Sequence, residues 1–122
     1  MSWQGDVAYA SAGKPDAPSG TARELAERLG EVSRPSLAVA VADTGGQPEA
    51  RGATVAGTQV HSVRLPSFVV STEVVFAAGG ERLTLRQDAG DTPAPYVDGT
   101  LLAVRAVPGR VGLTRGLDRL LD

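Results

Sequence analysis

The stretch GKPDAPSGTARELAERLG, residues 13–30, contains the side chains of this sequence that are best suited to bind an anion. Lys14 is the only lysine of the chain, and it precedes Gly20 across a turn that contains two prolines. A helix that begins near Thr21 would present unpaired backbone N–H groups and a partial positive charge here. Gly20 would let an anion approach the backbone, and Ser19 and Thr21 have hydroxyl donors. The sequence therefore predicts a site for a carboxylate or a small phosphate.

The same stretch also has a purely structural interpretation, which composition alone favours. Ser19 or Thr21 would then cap the helix, the prolines would fix the turn, and Lys14 would be solvated. A further candidate for carboxylate binding is Arg51, in a glycine-rich segment, because a guanidinium can donate two parallel hydrogen bonds. A solvated loop arginine explains Arg51 equally well.

Few other side chains suggest chemistry. His61 is the only histidine and the chain has no cysteine, so no metal is expected. His61 lies in a predicted strand, where a structural role is expected. Glu73, in the apolar run VVSTEVVF, is either an inward carboxylate that needs a partner or a group at a subunit contact. Tyr9 and Tyr96 could line a pocket or pack in the core.

Composition limits the class of protein. A length of 122 residues is that of one domain, so residues 1–122 are predicted to form a single domain. Twelve basic and fourteen acidic residues give a net charge of -2, so neither nucleic acid nor an anionic membrane is expected as a partner. No stretch approaches the roughly 18 apolar residues of a membrane span, and the N-terminus lacks the pattern of a secretion signal. A cytoplasmic location is therefore expected.

The first half of the chain must position the candidate anion site. Residues 6–12, DVAYASA, predict a short strand before the turn. Thr21 and Glu24 fit a capping box for the following helix, which Gly30 is expected to end. After this helix, SLAVAVAD (residues 36–43) could form a buried strand and TGGQPEARGATVAG (44–57) an extended loop.

The second half is predicted to be mainly strands. From Thr58 onward, runs rich in valine and threonine predict three antiparallel strands, with breaks at Pro66–Ser67 and Gly79–Gly80. The last two strands are predicted to form a hairpin. Leu83 and Leu85 alternate with polar residues, which predicts one buried and one solvated face.

These elements predict an α+β fold with a mixed or antiparallel sheet and helices on one face. The second helix is predicted within residues 96–107. One strand carries apolar side chains on both sides, at Val69, Val70, Val74 and Val75. Because a monomer would leave one of these sides exposed, a sheet-mediated oligomer is expected.

The stretch KPDAPSGTA closely resembles the signature Lys-x-Asp-Ala-Pro-Ser-Gly-Thr-Ala of the dihydrodipicolinate reductase family of bacterial lysine biosynthesis. Segments from ARGATVAGTQVHSVRLPSFVVSTEVVF to GLTRGLDRLLD resemble that family's C-terminal, substrate-binding and tetramerising domain. The resemblance implies a homotetramer, with a homodimer as the smaller alternative. It also places Lys14, Gly20 and Thr21 at the family's lysine and carboxylate-binding positions.

Two departures from the family pattern argue against reduction by this chain alone. The family's dinucleotide-binding domain has no counterpart in this sequence, so no cofactor is expected. The resemblance also implies two adjacent histidines before the lysine, the first regarded as the acid that protonates the reduced substrate. Ala10 and Ser11 occupy these positions, and neither can act as a general acid near neutral pH.

Three functions are open at this point. The first, favoured because the chain retains Lys14, is an enzyme, with Lys14 as the candidate catalytic residue. It would catalyse a redox-neutral cyclisation, isomerisation or dehydration of an unsaturated carboxylate, for example in specialised metabolism. The second is a non-catalytic oligomerisation or binding module. The third is the substrate-binding half of a split NAD(P)H-dependent reductase, against which the missing histidines count.

Overall fold

The computed structural model describes residues 3–66 and 70–121, which fall into two compact units divided between Asp91 and Thr92. The first unit contains a sheet and one helix: β1 (Trp3–Ser11), α1 (Gly20–Val32), β2 (Ala53–Val55), β3 (Thr58–Leu65), β4 (Val70–Ala78) and β5 (Glu81–Ala89). The second unit contains α2 (Val97–Ala106). The predicted α+β class is confirmed.

The sheet has the strand order β2-β3-β1-β4-β5. β1 is parallel to β3, and the other neighbouring pairs are antiparallel, which confirms a mixed sheet. The three strands predicted after Thr58 are present, and the last two form the predicted hairpin. The first two are not neighbours, however, because β1 lies between them.

The helix α1 packs on β1, β2 and β3 through small side chains. Ala22 and Ala26 of α1 meet Ala8 of β1 and Val60 of β3 in one buried cluster. Because alanine side chains are small, the helix lies close to the sheet. The side chains of this cluster are therefore almost completely removed from water. The start of α1 is thereby fixed beside the end of β1, where the candidate anion site lies.

Of the two predicted caps of α1 one is confirmed, and the predicted end of the helix at Gly30 is wrong. Ser19 rather than Thr21 is the N-cap residue, and its hydroxyl accepts a hydrogen bond from the backbone N–H of Ala22 at 3.2 Å. The helix continues through Gly30 to Val32. Gly30 is required there for a close approach, because an added Cβ would lie 2.4 Å from the carbonyl oxygen of Ala56.

The segment between α1 and β3 also differs from its prediction. Residues 36–43 form no strand: they run along the surface into a short 3-10 helix, Val41–Asp43. The strand that pairs with β3 on this side is β2, so residues 36–43 do not join the sheet. Residues 44–57 are more regular than predicted, since they contain a second 3-10 helix, Pro48–Arg51, and β2.

Buried amides tie this segment to the sheet. Gln4 on β1 donates to the carbonyl of Ser33 at 3.0 Å and to the hydroxyl of Thr58 at 2.8 Å. Gln59 on β3 donates to the carbonyl of Arg51 at 2.7 Å. Both glutamines are about 1% exposed, so the core of the first unit is held by buried hydrogen bonds as well as by apolar contacts.

The predicted buried face of β5 is wrong. Leu83 and Leu85 are each 56% exposed, because β5 is an edge strand while α1 packs on β1, β2 and β3. The predicted two-sided apolar strand is β4, which begins at Val70. Ser67 and Val69, which also entered the predictions for this region, lie outside the described residues.

The second unit confirms the predicted second helix. Thr100 donates a hydrogen bond to the carbonyl of Tyr96 at 2.8 Å in the first turn of α2. Gly99 allows Leu117 to pack on this helix, because an added Cβ would lie 2.8 Å from a methyl carbon of Leu117. That α2 covers the sheet, and that residues 1–122 form one domain, stay predictions.

Candidate functional site

A cavity of about 230 Å³ lies where the end of β1, the start of α1 and the start of β4 meet. Four of the five predicted binding residues line it: Lys14, Ser19, Gly20 and Thr21. The turn before α1 brings Lys14 to the first residues of the helix. An ammonium, two hydroxyls and the first backbone N–H groups of a helix therefore share one small space.

The start of α1 is open to a ligand. Since the Ser19 hydroxyl accepts from the helix backbone, its own proton is available to donate elsewhere. No atom lies within 4 Å of the position of an added Cβ at Gly20, so the backbone there is accessible. The first turn contains no acidic residue. These features suit an anion at the positive end of the helix.

Lys14 is positioned by contacts within its own loop. Its ammonium lies 2.9 Å from a carboxylate oxygen of Asp16, and its backbone N–H donates to the carbonyl of Ser11 at 3.1 Å. Arg64 of β3 donates to the backbone carbonyl of Asp16 at 2.6 Å. The hydrogen bond from Lys14 lowers the pKa of the Asp16 carboxyl below its ordinary value. The ammonium has three donors, so two are left for other acceptors.

Asp16 was not among the predicted site residues. Its signal in the sequence is its place in the KPDAPSGTA stretch, two residues after Lys14. Arg64 was missed as well. Nothing in the local sequence indicates that it reaches the turn, because the contact depends on the parallel pairing of β1 with β3.

A charged network adjoins the cavity on the other side. Tyr9 and Ser71 line the cavity, and Ser71 donates a hydrogen bond to Asp88. The Arg86 guanidinium lies 3.0 Å from a carboxylate oxygen of Asp88 and 3.3 Å from Glu73, and 5.4 Å from the centre of the Tyr9 ring. Glu73 thus has the partner that an inward carboxylate needs. The opposite charges of Arg86 and Asp88, two residues apart and so on one face of β5, were the available signal for this network.

Other predicted residues lie elsewhere. Arg51 is not among the residues that line the cavity; its guanidinium donates to the carbonyl of Val39 at 3.3 Å and to Thr44 at 3.2 Å. His61 lines a different cavity together with Glu49. Within residues 3–66 and 70–121, no group of three or more His, Cys, Asp or Glu side chains is placed to hold a metal ion. Nor does this described part contain a helix long and apolar enough to cross a membrane.

Sequence reasoning also missed Asp6, in the middle of β1. Its side chain is fully buried, and neither carboxylate oxygen has a hydrogen-bond partner. Burial raises the pKa of this carboxyl from 3.8 to about 6. Asp6 does not line the cavity, so it is a feature of the core rather than of the candidate site. A lone aspartate between Gly5 and Val7 of a strand was its only signal.

The cavity offers donors but few proton-transfer groups. Ala10, at the position where the family resemblance implies an acid, contributes a methyl group to the lining. The described lining residues include neither a carboxylate nor an imidazole. The arrangement can therefore bind and orient an anion more readily than it can exchange protons with it.

The fold and the site define a small α+β protein with a lysine-containing cavity at the start of a helix. Residues 8–121 match the family model of the C-terminal part of dihydrodipicolinate reductase. The chain belongs to the dihydrodipicolinate reductase family, as a relative of its C-terminal domain.

Individual relatives agree with this assignment. The chain is 46% identical over 109 residues to 4-hydroxy-tetrahydrodipicolinate reductase of Mycolicibacterium smegmatis, covering 89% of this chain and 44% of that protein. It is also 46% identical to the Synechococcus elongatus enzyme of the same name, covering 88% of this chain and 40% of the relative. A solved structure, the dipicolinate-bound dihydrodipicolinate reductase from Paenisporosarcina sp. TG-14, superposes with a TM-score of 0.82 at 28% identity, over 96% of this chain and 44% of the other. The chain thus spans less than half the length of these relatives.

The residues present do not fit a nicotinamide dinucleotide. Such a site needs a glycine-rich turn between a strand and a helix, so that the backbone can approach the pyrophosphate. The connection from β1 to α1 contains Pro15 and Pro18 instead, and the cavity beside it has a volume of only about 230 Å³. No chemical step through a nucleotide is assigned to these residues.

Proposed function

We propose that the cavity binds a small molecule with at least one carboxylate, and that Lys14 is the charged anchor of this ligand. The observation that carries the proposal is the convergence of Lys14, Ser19, Gly20 and Thr21 on one cavity at the first turn of α1. All of these residues present hydrogen-bond donors, and charge-assisted bonds to a carboxylate are the strongest that they can form. The solved relative with bound dipicolinate, a dicarboxylate, supports the same class of ligand.

The reaction that we propose is redox-neutral: a cyclisation, an isomerisation or a dehydration of an unsaturated carboxylate. Ring closure can be accelerated by holding the reacting groups in one orientation and by excluding water, without a strong acid. Lys14 would hold the carboxylate and stabilise negative charge that develops next to it. The methyl group of Ala10 leaves this part of the cavity without an ionisable side chain, which suits such a reaction better than the protonation of a reduced substrate.

Binding is tested by titrating dipicolinate into the parent chain and two variants with isothermal titration calorimetry. Lys14→Ala should weaken binding by about 10- to 100-fold, because a charge-assisted hydrogen bond contributes roughly 1.5–3 kcal/mol. Arg28→Ala removes a cation from the exposed surface of α1 and is the matched control. Equal affinities of the parent and Lys14→Ala would contradict the proposed anchor, provided that both chains show the same thermal unfolding.

Turnover is tested in cells that lack the gene. Metabolite profiles of the deletion, of the deletion with the parent gene and of the deletion with Lys14→Ala should differ in one accumulated carboxylate. The parent should clear this compound and Lys14→Ala should not. Clearance by both would indicate a non-catalytic module or a site elsewhere.

A second candidate function is the substrate-binding half of a two-chain reductase. It is favoured by the relatives, which carry the name 4-hydroxy-tetrahydrodipicolinate reductase and are more than twice as long as the matched region. Mixing this chain with a separate dinucleotide-binding chain and NADPH would then give substrate-dependent oxidation of NADPH. An Ala10→His variant should increase that rate if the missing acid limits it. The same variant should give no increase if the reaction is redox-neutral.

Self-association through the sheet belongs to the same proposal, as a homotetramer or a homodimer. Successive residues of β1 point to opposite faces, and Ala8 faces α1. Trp3 and Val7 therefore lie on the opposite face, together with Val75 of β4, and all three are only partly buried. This apolar face supports packing against another sheet.

A further inference from the structure

Two buried glutamines of the sheet differ in how their amide groups are satisfied. Gln59 donates to the carbonyl of Arg51 at 2.7 Å and accepts from the hydroxyl of Thr54 at 2.7 Å, so both ends of its amide are paired. Gln4 donates from Nε2 to two acceptors, but its buried Oε1 has no hydrogen-bond partner among the described residues. A buried acceptor without a donor costs free energy, so the Gln4 amide calls for a further partner.

Asp6 lies two residues farther along β1 and also lacks hydrogen-bond donors. Its side chain is fully buried, and nothing in the described part of the chain donates to its Oδ1 or Oδ2. Because alternate residues of a strand point to one face, Gln4 and Asp6 share a face and lie about 7 Å apart along β1. Ala8, the next residue on this face, belongs to the buried cluster under α1. Three acceptors without donors therefore project from neighbouring positions of one buried face.

Uncharged residues surround Asp6 on the neighbouring strands. Its paired residues are Val60 on β3 and Val74 on β4, both buried. The next residues on the same face of these strands are uncharged as well: Thr58, Ser62, Thr72 and Phe76. Arg34, just after α1, is exposed and donates to the carbonyl of Gly30. All charged residues of α1 are at least partly exposed: Arg23, Glu24, Glu27, Arg28 and Glu31. A proton on Asp6 itself is therefore the donor best placed to reach Gln4.

We propose that Gln4 and Asp6 form a proton-controlled switch. With Asp6 protonated, its carboxylic acid donates to Oε1 of Gln4, while Nε2 stays bonded to the carbonyl of Ser33 and the hydroxyl of Thr58. With Asp6 ionised, the Gln4 amide rotates so that Nε2 donates to the carboxylate and Oε1 takes the former place of Nε2. There Oε1 accepts from the Thr58 hydroxyl but faces the carbonyl of Ser33, and two acceptors repel each other. Loss of the proton therefore releases Ser33.

The contact at Ser33 holds the end of α1. Ser33 is the C-cap residue of this helix, and its N–H donates to the carbonyl of Leu29 at 3.0 Å. Ser33 is partly exposed, so its released carbonyl can bond to water. The chain between α1 and β2 contains two short 3-10 helices, and Gln59 holds its far end through Arg51. Ionisation of Asp6 thus loosens one end of this segment and leaves the other end attached.

The direction of the switch follows from the burial of Asp6. Burial raises the pKa of its carboxyl to about 6, so the folded chain holds the proton below this pH and releases it above. The hydrogen bond from Gln4 to Ser33 should therefore be present at about pH 4 and lost at about pH 7.5.

Nuclear magnetic resonance of the full chain follows both side chains directly. The side-chain NH₂ signals of Gln4 and the Cγ signal of Asp6 should titrate with one common midpoint, because one proton determines the state of both groups. The NH₂ signals of Gln59 are an internal control. They should stay unchanged over the same pH range, since both ends of that amide are paired.

Hydrogen exchange measures the release of Ser33. The protection factor of the Ser33 N–H, which corrects for the ordinary effect of pH on exchange, should fall about tenfold from pH 4 to pH 7.5 in the parent chain. Asp6→Asn keeps an N–H donor beside Gln4 at every pH and should show no such fall. Glu27→Gln removes an exposed carboxyl of α1 instead, and it should behave like the parent.

Three results would overturn the switch. The first is a set of Gln4 signals that stays constant, or titrates with a different midpoint, while Asp6 titrates in the parent chain. The second is a titration of Gln4 that persists in Asp6→Asn, because another group would then move this amide. The third is equal protection of the Ser33 N–H at both pH values in the parent. If Asp6→Asn does not fold, the two measurements on the parent chain still decide.

Discussion

The two ends of one face of the sheet differ in how their apolar residues are covered. Under α1, Ala8 of β1 is 4% exposed and Val60 of β3 is 2% exposed. On β5, Leu83 and Leu85 are each 56% exposed although they alternate with polar residues just as regularly. The difference lies in the helix, which packs on β1, β2 and β3. Alternation therefore predicts which side chains share a face, but not whether anything covers that face.

The candidate site lies between these two regions. Its cavity is lined by α1 residues such as Thr21 on one side and by Ser71 and Thr72 of β4 on the other. A part of the sheet that the helix covers completely would have no space for a ligand. In a fully exposed part, the charged groups of a binding site would be solvated by water. The boundary combines a rigid helix start with partial access to solvent, which a small-molecule site requires.

The covered region should respond most strongly to a change at Gly30. Gly30→Val places a branched side chain where even a Cβ would lie 2.4 Å from the carbonyl oxygen of Ala56. The free energy of unfolding should fall by about 3 kcal/mol in urea denaturation, because α1 must move away from the sheet. Gly13→Ala is the control, since no atom lies within 4 Å of its added Cβ. Similar losses in the two variants would show that α1 is not packed closely at Gly30.

The buried carboxyl of Asp6 should make stability depend on pH. Its folded-state pKa of about 6 lies above the ordinary value of 3.8, so the folded state holds this proton more tightly than the unfolded state. The stability that comes from this proton is fully present below about pH 4, and it is lost as the pH rises to about 6. The loss should amount to about 2–3 kcal/mol.

Asp6→Val should remove this pH dependence. The gain in unfolding free energy over the parent should be about 2–3 kcal/mol larger at pH 7.5 than at pH 4, measured by chemical denaturation. Asp43→Asn changes an exposed aspartate and is the control. An equal gain in unfolding free energy at both pH values would contradict the burial of the Asp6 carboxyl without hydrogen-bond partners.

The smallest effect is expected on β5. Leu85→Thr should change the free energy of unfolding by at most about 0.5 kcal/mol at low protein concentration, because the side chain is half exposed. Val60→Ala, in the covered region, should cost about 2 kcal/mol in the same measurement. If Leu85→Thr instead lowered the free energy of unfolding strongly, and more so at higher protein concentration, a second copy of the chain would cover Leu85.

Much of the fold was accessible from local sequence patterns. The helical spacing of Ala22, Leu25, Ala26 and Leu29 predicts α1, and the double glycine between two strand-forming runs predicts the β4–β5 hairpin. The errors arose where distant contacts decide. Gly30 was expected to end α1 because glycine commonly does so, but it lies against Ala56 and the helix continues.

The candidate site shows the same division. Lys14, Ser19, Gly20 and Thr21 were identified because they lie within one short stretch, and α1 places them together. Arg51 was expected to bind the same kind of group, yet the structure directs it to Val39 and Thr44. No local sequence pattern could indicate these partners of Arg51, because the fold determines which acceptors lie within reach of a loop arginine.

The sequence by itself determined the α+β class, the two helices and the hairpin, and it indicated the candidate anion site before α1. These features depend on hydrophobic periodicity, turn residues and neighbours along the chain, which are local properties. Only the tertiary structure decided that β1 lies between β3 and β4, that Asp6 is buried and that Leu83 and Leu85 are exposed. Burial and strand pairing arise from contacts between residues that are far apart in sequence. Local patterns in one sequence do not show which of these residues are close in space.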